Sequence, residues 1–192
     1  MRMRREPAIQ VKTRAQLGLM REAGLVVART LGLLAAAAEP GVTTADLDAI
    51  AEQEITSAGA TPSFKGYHDY PATICTSVND EIVHGIPSRA RRLRPGDVIS
   101  IDCGAIVSGW HADAALTVGV GKISDERRRL LAACEQALWH GLAQARPGHR
   151  LTHLFSASCC ICSDTSVAFF RLSNTSSNMS RSSSCWPAGA RR

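Results

Sequence analysis

No stretch of this chain is long and apolar enough to cross a bilayer. The longest candidate, residues 23–38, is broken by Arg29 and Thr30. The basic start MRMRREP runs into Glu6 and Pro7 rather than an apolar core, so these residues are not expected to act as a cleavable leader. Aromatics are scarce, at 5% of the residues, and few lie near the arginine clusters Arg91-Arg92 and Arg127 to Arg129. The formal charge of +5 therefore reads as solvated faces, and no specific nucleic-acid partner is expected. Nor is there a disulfide framework: Cys75, Cys103 and Cys134 are isolated, far apart and in apolar settings, as in a reducing, cytoplasmic compartment. What is present, 192 residues at 45% hydrophobic and 20% charged, suffices for one domain with a real core.

The first half is patterned for helices. Over residues 13–38 the positions Leu17, Met20, Gly24, Val27, Leu31 and Leu34 recur every three or four residues, one stripe of an amphipathic helix that Pro40 ends. Thr43 or Thr44 caps a second helix, with Asp46 and Asp48 in its first turn and Gly59 at its end. After Pro62 the texture becomes β-rich: ATICTSVND, then EIVHGIP, then the turn RPGD at 94–97 leading into VISID. Ser124 opens a third helix carrying Leu131, Cys134, Leu138 and Leu142 inward. Strands joined by hairpins and flanked by helices predict an α+β fold with an antiparallel sheet.

Within SIDCGAIVSGWHADAALT, residues 100–117, Asp102 and Asp113 flank a Ser108-Gly109 turn. A turn near Val107-Ser108 sets them face to face, with Cβ atoms roughly 4.5–5.5 Å apart. Like charges so placed are destabilising unless a shared proton or a cation offsets them, and two metal ions about 3.5–4 Å apart suit such carboxylates. A register differing by one residue instead sends the two side chains to opposite faces. The hairpin alone leaves both readings open.

In order along the chain, KTRAQLGLMREAGLVVA, EPGVTTADLDAIA, GATPSFKGYHDYPATICTSVNDEIVHGIP, LRPGDVISIDCGAIVSGWHADAALTVGVG and RPGHRLT resemble the type I methionine aminopeptidases, bacterial short form, over residues 10–152. The resemblance implies a pita-bread fold, two pseudo-symmetric α+β halves around a curved antiparallel sheet, of which residues 1–152 form the N-terminal part. It implies two divalent metal ions (cobalt, manganese, iron or zinc) activating a bridging water, and cleavage after an N-terminal methionine of nascent proteins. Asp102 and Asp113 match two of the five metal ligands. His84 matches the histidine that contacts substrate near the scissile bond. Tyr67, Tyr70 and Cys75 match the lining of the methionine pocket, and Trp110, a large residue at the hairpin tip, is placed either to close that pocket or to pack in the core. A cytoplasmic monomer meeting nascent chains, with the ribosome as a further partner, follows from the same resemblance. SVNDEIVHGIP and the tyrosine- and cysteine-lined stretch before it favour methionine over proline specificity.

The departures are as informative. Asp69 and Ala112 stand where the family pattern has glycine, the latter beside a ligand, where its methyl threatens to tilt Asp113. The remaining ligands, a histidine and two glutamates, belong to the second half of the pattern. No glutamate follows Glu135; His140, His149 and His153 match no ligand motif, and Asp164 is the one late carboxylate. Residues 153–192 read as a serine- and cysteine-rich tail, disordered or derived from a frameshift. In it Cys159 and Cys162 have C-x-x-C spacing, with Cys160 between and Cys185 downstream, but no second pair completes a zinc site. Weak metal binding and little hydrolysis are therefore expected, and a non-catalytic peptide- or ribosome-binding protein on the same fold is the alternative.

Overall fold

The structure is a computed structural model that describes residues 11–156. The predicted tail, with Cys159, Cys160, Cys162, Asp164 and Cys185, lies outside these residues, apart from its first four. The chain divides into two compact units, Met1–Ala132 and Ala133–Arg192.

In the first unit, helix α1 spans Arg14–Ala37 and helix α2 Thr44–Ser57. Each starts with a threonine whose hydroxyl accepts the N–H of the residue three ahead, while that residue's side chain accepts the threonine N–H. The partners are Gln16 for Thr13 and Asp46 for Thr43, and such reciprocal caps contribute about 1 kcal/mol each. The stripe expected on α1 holds from Val27 onward, where Val27, Thr30, Leu31 and Leu34 are buried. Leu17, at the exposed start of α1, is 52% exposed.

Four strands follow: β1 (Thr61–Pro62), β2 (Ile74–Val78), β3 (Val98–Val107) and β4 (Trp110–Gly119), all antiparallel to β3. β4 pairs with β3 along its whole length, while β2 and β1 share the opposite edge end to end. Alternation sorts the side chains. Ile99, Ile101, Cys103 and Ala105 of β3, with Ile74 and Val78 of β2, join Val27, Leu31, Leu34, Leu47, Ala51 and Ile55 of the helices in one core. The other face of the sheet carries Cys75, Ser77, Ser100, Asp102, Gly104, His111, Asp113, Ala115 and Thr117. EIVHGIP is not a strand: residues 81–87 run as a loop with Ile82, Val83 and Ile86 exposed.

Helix α3 (Asp125–Leu142) begins in the first unit and continues into the second. Its buried positions are Ala133, Ala137 and Gly141, one every fourth residue, and the expected inward stripe is corrected: Cys134, Leu138 and Leu142 are exposed and only Leu131 is half-buried. Among the described residues no helix is long and apolar enough to cross a membrane.

Candidate metal centre

The hairpin turns on two residues, Ser108 and Gly109, with Val107 paired to Trp110. Both turn residues have positive φ, 49° and 80°, the backbone of a type I′ turn, whose twist matches that of the flanking strands. This turn puts Asp102 opposite Ala115 and Asp113 opposite Gly104. The direct facing expected from the sequence is thus corrected by two residues, and an even shift keeps both aspartates on one face. They are diagonal neighbours, roughly 7–8 Å apart in the backbone and closer at their side chains.

Asp102 is half-buried and Asp113 exposed. Oδ1 of Asp102 is buried and has no hydrogen-bond partner among the described residues. Burial first, and the Asp113 carboxylate second, push Asp102 up to about 6, while the His84 charge and the Cys103 N–H pull the other way. Cys75 is the register partner of Asp102 on β2, and its thiol is pushed up, chiefly by burial. Cys103 points from β3 into the core, where burial holds its thiol at about 12.

His84 sits in the 81–87 loop with φ of 60°, a left-handed backbone unusual for a residue with a side chain. The neighbouring Gly85 packs so tightly on β2 that a Cβ there would stand 2.1 Å from the Thr76 carbonyl oxygen. The Tyr70 hydroxyl reaches the carbonyls of Ile74 (3.0 Å) and Gly85 (3.3 Å). Burial, and a hydrogen bond with Cys75, raise its pKa further. Tyr70, Cys75, His84, Asp102 and Asp113 therefore come together on or beside one sheet face. Tyr67 is close in sequence but 68% exposed. Trp110 is not brought to this face. Paired with Val107, it shares the alternation of Ala112 and Leu116, which pack on the core, and Lys12 lies 5.5 Å from its ring centroid.

Alternation accounts for one of the two departures and backbone conformation for the other. The Ala112 methyl points toward the helices, 4.0 Å from where a Cβ on Gly24 would stand, and away from the aspartates. Asp69 has φ of 62°, the region where glycine is at ease and aspartate is one of the few tolerated replacements. Three neighbours escaped the sequence reading. Ser63 and Phe64 lie over Gly104, where a Cβ would meet them at 2.9 and 2.8 Å. His111, two residues before Asp113 on its face, shares a hydrogen bond with Ser63 Oγ (3.3 Å). Strict alternation in WHADA would have placed His111 once the face of Asp113 was known; nothing local marks Ser63 or Phe64.

The donor chemistry fits a divalent cation, since two carboxylates on one face, one with an unpartnered buried oxygen, are what such an ion neutralises. The donor number does not complete a site. Among the described residues no three of histidine, cysteine, aspartate and glutamate are placed to hold one metal ion, whereas such ions take four or more ligands. His149 and His153 pack ring to ring at 4.9 Å in the second unit.

An antiparallel sheet backed by two helices, with paired carboxylates on its open face, defines one side of a pita-bread metallopeptidase. The sequence pattern of metallopeptidase family M24 matches residues 18–172, and the chain belongs to that family. Methionine aminopeptidase 1 of Mycobacterium tuberculosis is 49% identical over 156 residues, 81% of this chain and 59% of that protein. Methionine aminopeptidase 1 of Bacillus subtilis is 50% identical over 146 residues, 76% of this chain and 58% of that protein. A crystal structure of methionine aminopeptidase from Rickettsia prowazekii superposes with a TM-score of 0.78 at 32% identity, over 81% of this chain and 62% of that one. Prolidase from Pyrococcus furiosus, at 20% identity and a TM-score of 0.71, shares the fold. The chain thus spans about three fifths of the length of the curated relatives it matches.

Proposed function

We propose that this chain carries one side of the catalytic site of a metal-dependent methionine aminopeptidase, acting on the N-terminal methionine of nascent proteins in the cytoplasm. The observation that carries the reading is the aspartate pair on one sheet face with the buried, unpartnered Oδ1 of Asp102. Asp102 and Asp113 would hold two divalent ions (cobalt, manganese, iron or zinc) together with ligands from outside the described residues. Bound there, such ions supply Lewis acidity and an activated water. His84 donates a hydrogen bond to the scissile carbonyl or amide as charge develops. Tyr70 and Cys75, with Tyr67 at the rim, form an aromatic and thiol wall suited to a soft thioether. The catalytic part runs to about residue 152 in this reading. The protein acts as a monomer, and the ribosome, where new N-termini emerge, is its further partner.

A second reading, a non-catalytic peptide-binding protein on this fold, is favoured by the incomplete donor set among the described residues. Hydrolysis of Met-Ala-Ser with added Co²⁺ or Mn²⁺ separates the two. Slow turnover, stopped by chelator and lost in Asp102→Asn, supports the enzyme. Soluble, folded protein with no turnover at any metal concentration supports the binding protein. Calorimetry is expected to give a metal Kd on the order of 10⁻⁴–10⁻³ M, as for sites short of ligands, and no uptake in Asp102→Asn.

A further inference from the structure

We propose that Ser77 and Tyr70 are positioning residues, which fix His84 beside Asp102 by gripping the next peptide unit, Gly85. The assignment deepens the reading of His84 as the imidazole that faces substrate. Residues 81–87 form neither helix nor strand, and Ile82, Val83 and Ile86 are 90%, 64% and 58% exposed, so none of the loop's aliphatic side chains anchors it. Its start is tied by the Val78 N–H donating to the Glu81 carboxylate (2.8 Å). Just past its end, Ser88 and Thr44 exchange two hydrogen bonds, of 2.9 and 3.1 Å.

Between these ties, the hydrogen bonds of the described residues fall on Gly85. Its N–H donates to Ser77 Oγ (3.2 Å). Its carbonyl accepts the Thr76 N–H (2.8 Å) and faces the Tyr70 hydroxyl (3.3 Å). That hydroxyl is also 3.0 Å from the Ile74 carbonyl, so one proton is shared between the strand and the loop. The grip leaves no room for a side chain on Gly85. It also explains how His84 persists in a left-handed backbone, which lasts only where its surroundings impose it. Ser77 is 5% exposed and lies on the Asp102 face of the sheet, so its hydroxyl is held by the strand and spent on the loop.

The test uses the full chain as Ser77→Ala, Ser77→Thr and Tyr70→Phe. It reads amide hydrogen exchange at Gly85, Ile99 and Ile101, together with the His84 ring signal by NMR, with and without L-methionine. Loss of one hydrogen bond is expected to speed Gly85 exchange about tenfold in Ser77→Ala and to move the His84 ring signal, leaving Ile99 and Ile101 at the parental rates. Ser77→Thr, which keeps the hydroxyl, restores both; Tyr70→Phe moves them the same way by less. Parental Gly85 exchange and ring signal in both Ser77→Ala and Tyr70→Phe overturn the proposal. Equal acceleration at Ile99 and Ile101 overturns it as well, because it shows a role in general stability only. Failure of L-methionine to move the His84 signal of the parent protein strikes the substrate reading alone, and the Gly85 rates still decide the grip.

Discussion

At neutral pH the metal-free chain keeps the Asp102 carboxylate charged although burial and the nearby Asp113 oppose that charge. Because its pKa is raised to about 6 from an ordinary 3.8, the folded protein binds a proton more readily than the unfolded chain. The associated stability is fully present below about pH 4 and is lost as pH rises through 6. Asp102→Asn, which removes the charge, is expected to stabilise the chelator-treated protein at pH 7 by on the order of 1 kcal/mol after allowance for solvent screening. At pH 4 the gain disappears. Urea denaturation at the two pH values checks this, and an equal gain at both refutes the electrostatic origin. An aspartate whose removal stabilises the fold is kept for what it binds.

The elements were legible where local chemistry dictates them. Thr43, one of the two caps expected for α2, starts that helix, and Pro40 and Gly59 lie just past the two helix ends as expected. The spacing of Val27, Leu31 and Leu34 marks the buried stripe. Burial makes the contrast measurable: Leu34→Ala is expected to cost 2–5 kcal/mol in denaturant midpoint analysis, and Leu17→Ala less than about 0.5 kcal/mol. Less legible was whatever depended on partners distant in sequence. Periodicity alone says nothing about which side of α3 is covered, and the small residues Ala133, Ala137 and Gly141 lie inward while the leucines face out. EIVHGIP has strand-like composition, yet its backbone bonds go to a glycine grip rather than to a ladder. In the candidate site the two aspartates were visible from their type and the nearby turn. Their diagonal offset and the opposite side taken by Trp110 depended on whether the turn falls on Val107-Ser108 or Ser108-Gly109, and positive φ at Ser108 is nothing its side chain announces.

Across the whole molecule, the described residues build one well-packed layer of helices on a sheet and leave large apolar side chains uncovered elsewhere. On α3, Leu138, Trp139 and Leu142 are each about half exposed or more. Replacing Leu138 and Leu142 by glutamine is therefore expected to leave the unfolding midpoint within about 0.5 kcal/mol of the parent while lowering concentration-dependent light scattering. A large loss of stability would show that these side chains are packed in solution. About two fifths of each curated relative's own length lies outside its match to this chain.

The two-residue turn at Ser108-Gly109 has a genetic corollary. One extra in-frame codon within it, should the strands re-pair with a one-residue slip, would exchange the two sides of β4. Ala112 and Ala114 would then face outward near Asp102, and Asp113 would be driven among the aliphatic side chains of the helices. Such a lesion would abolish the carboxylate pair while both aspartate codons stayed intact, so inspecting those codons alone would miss it.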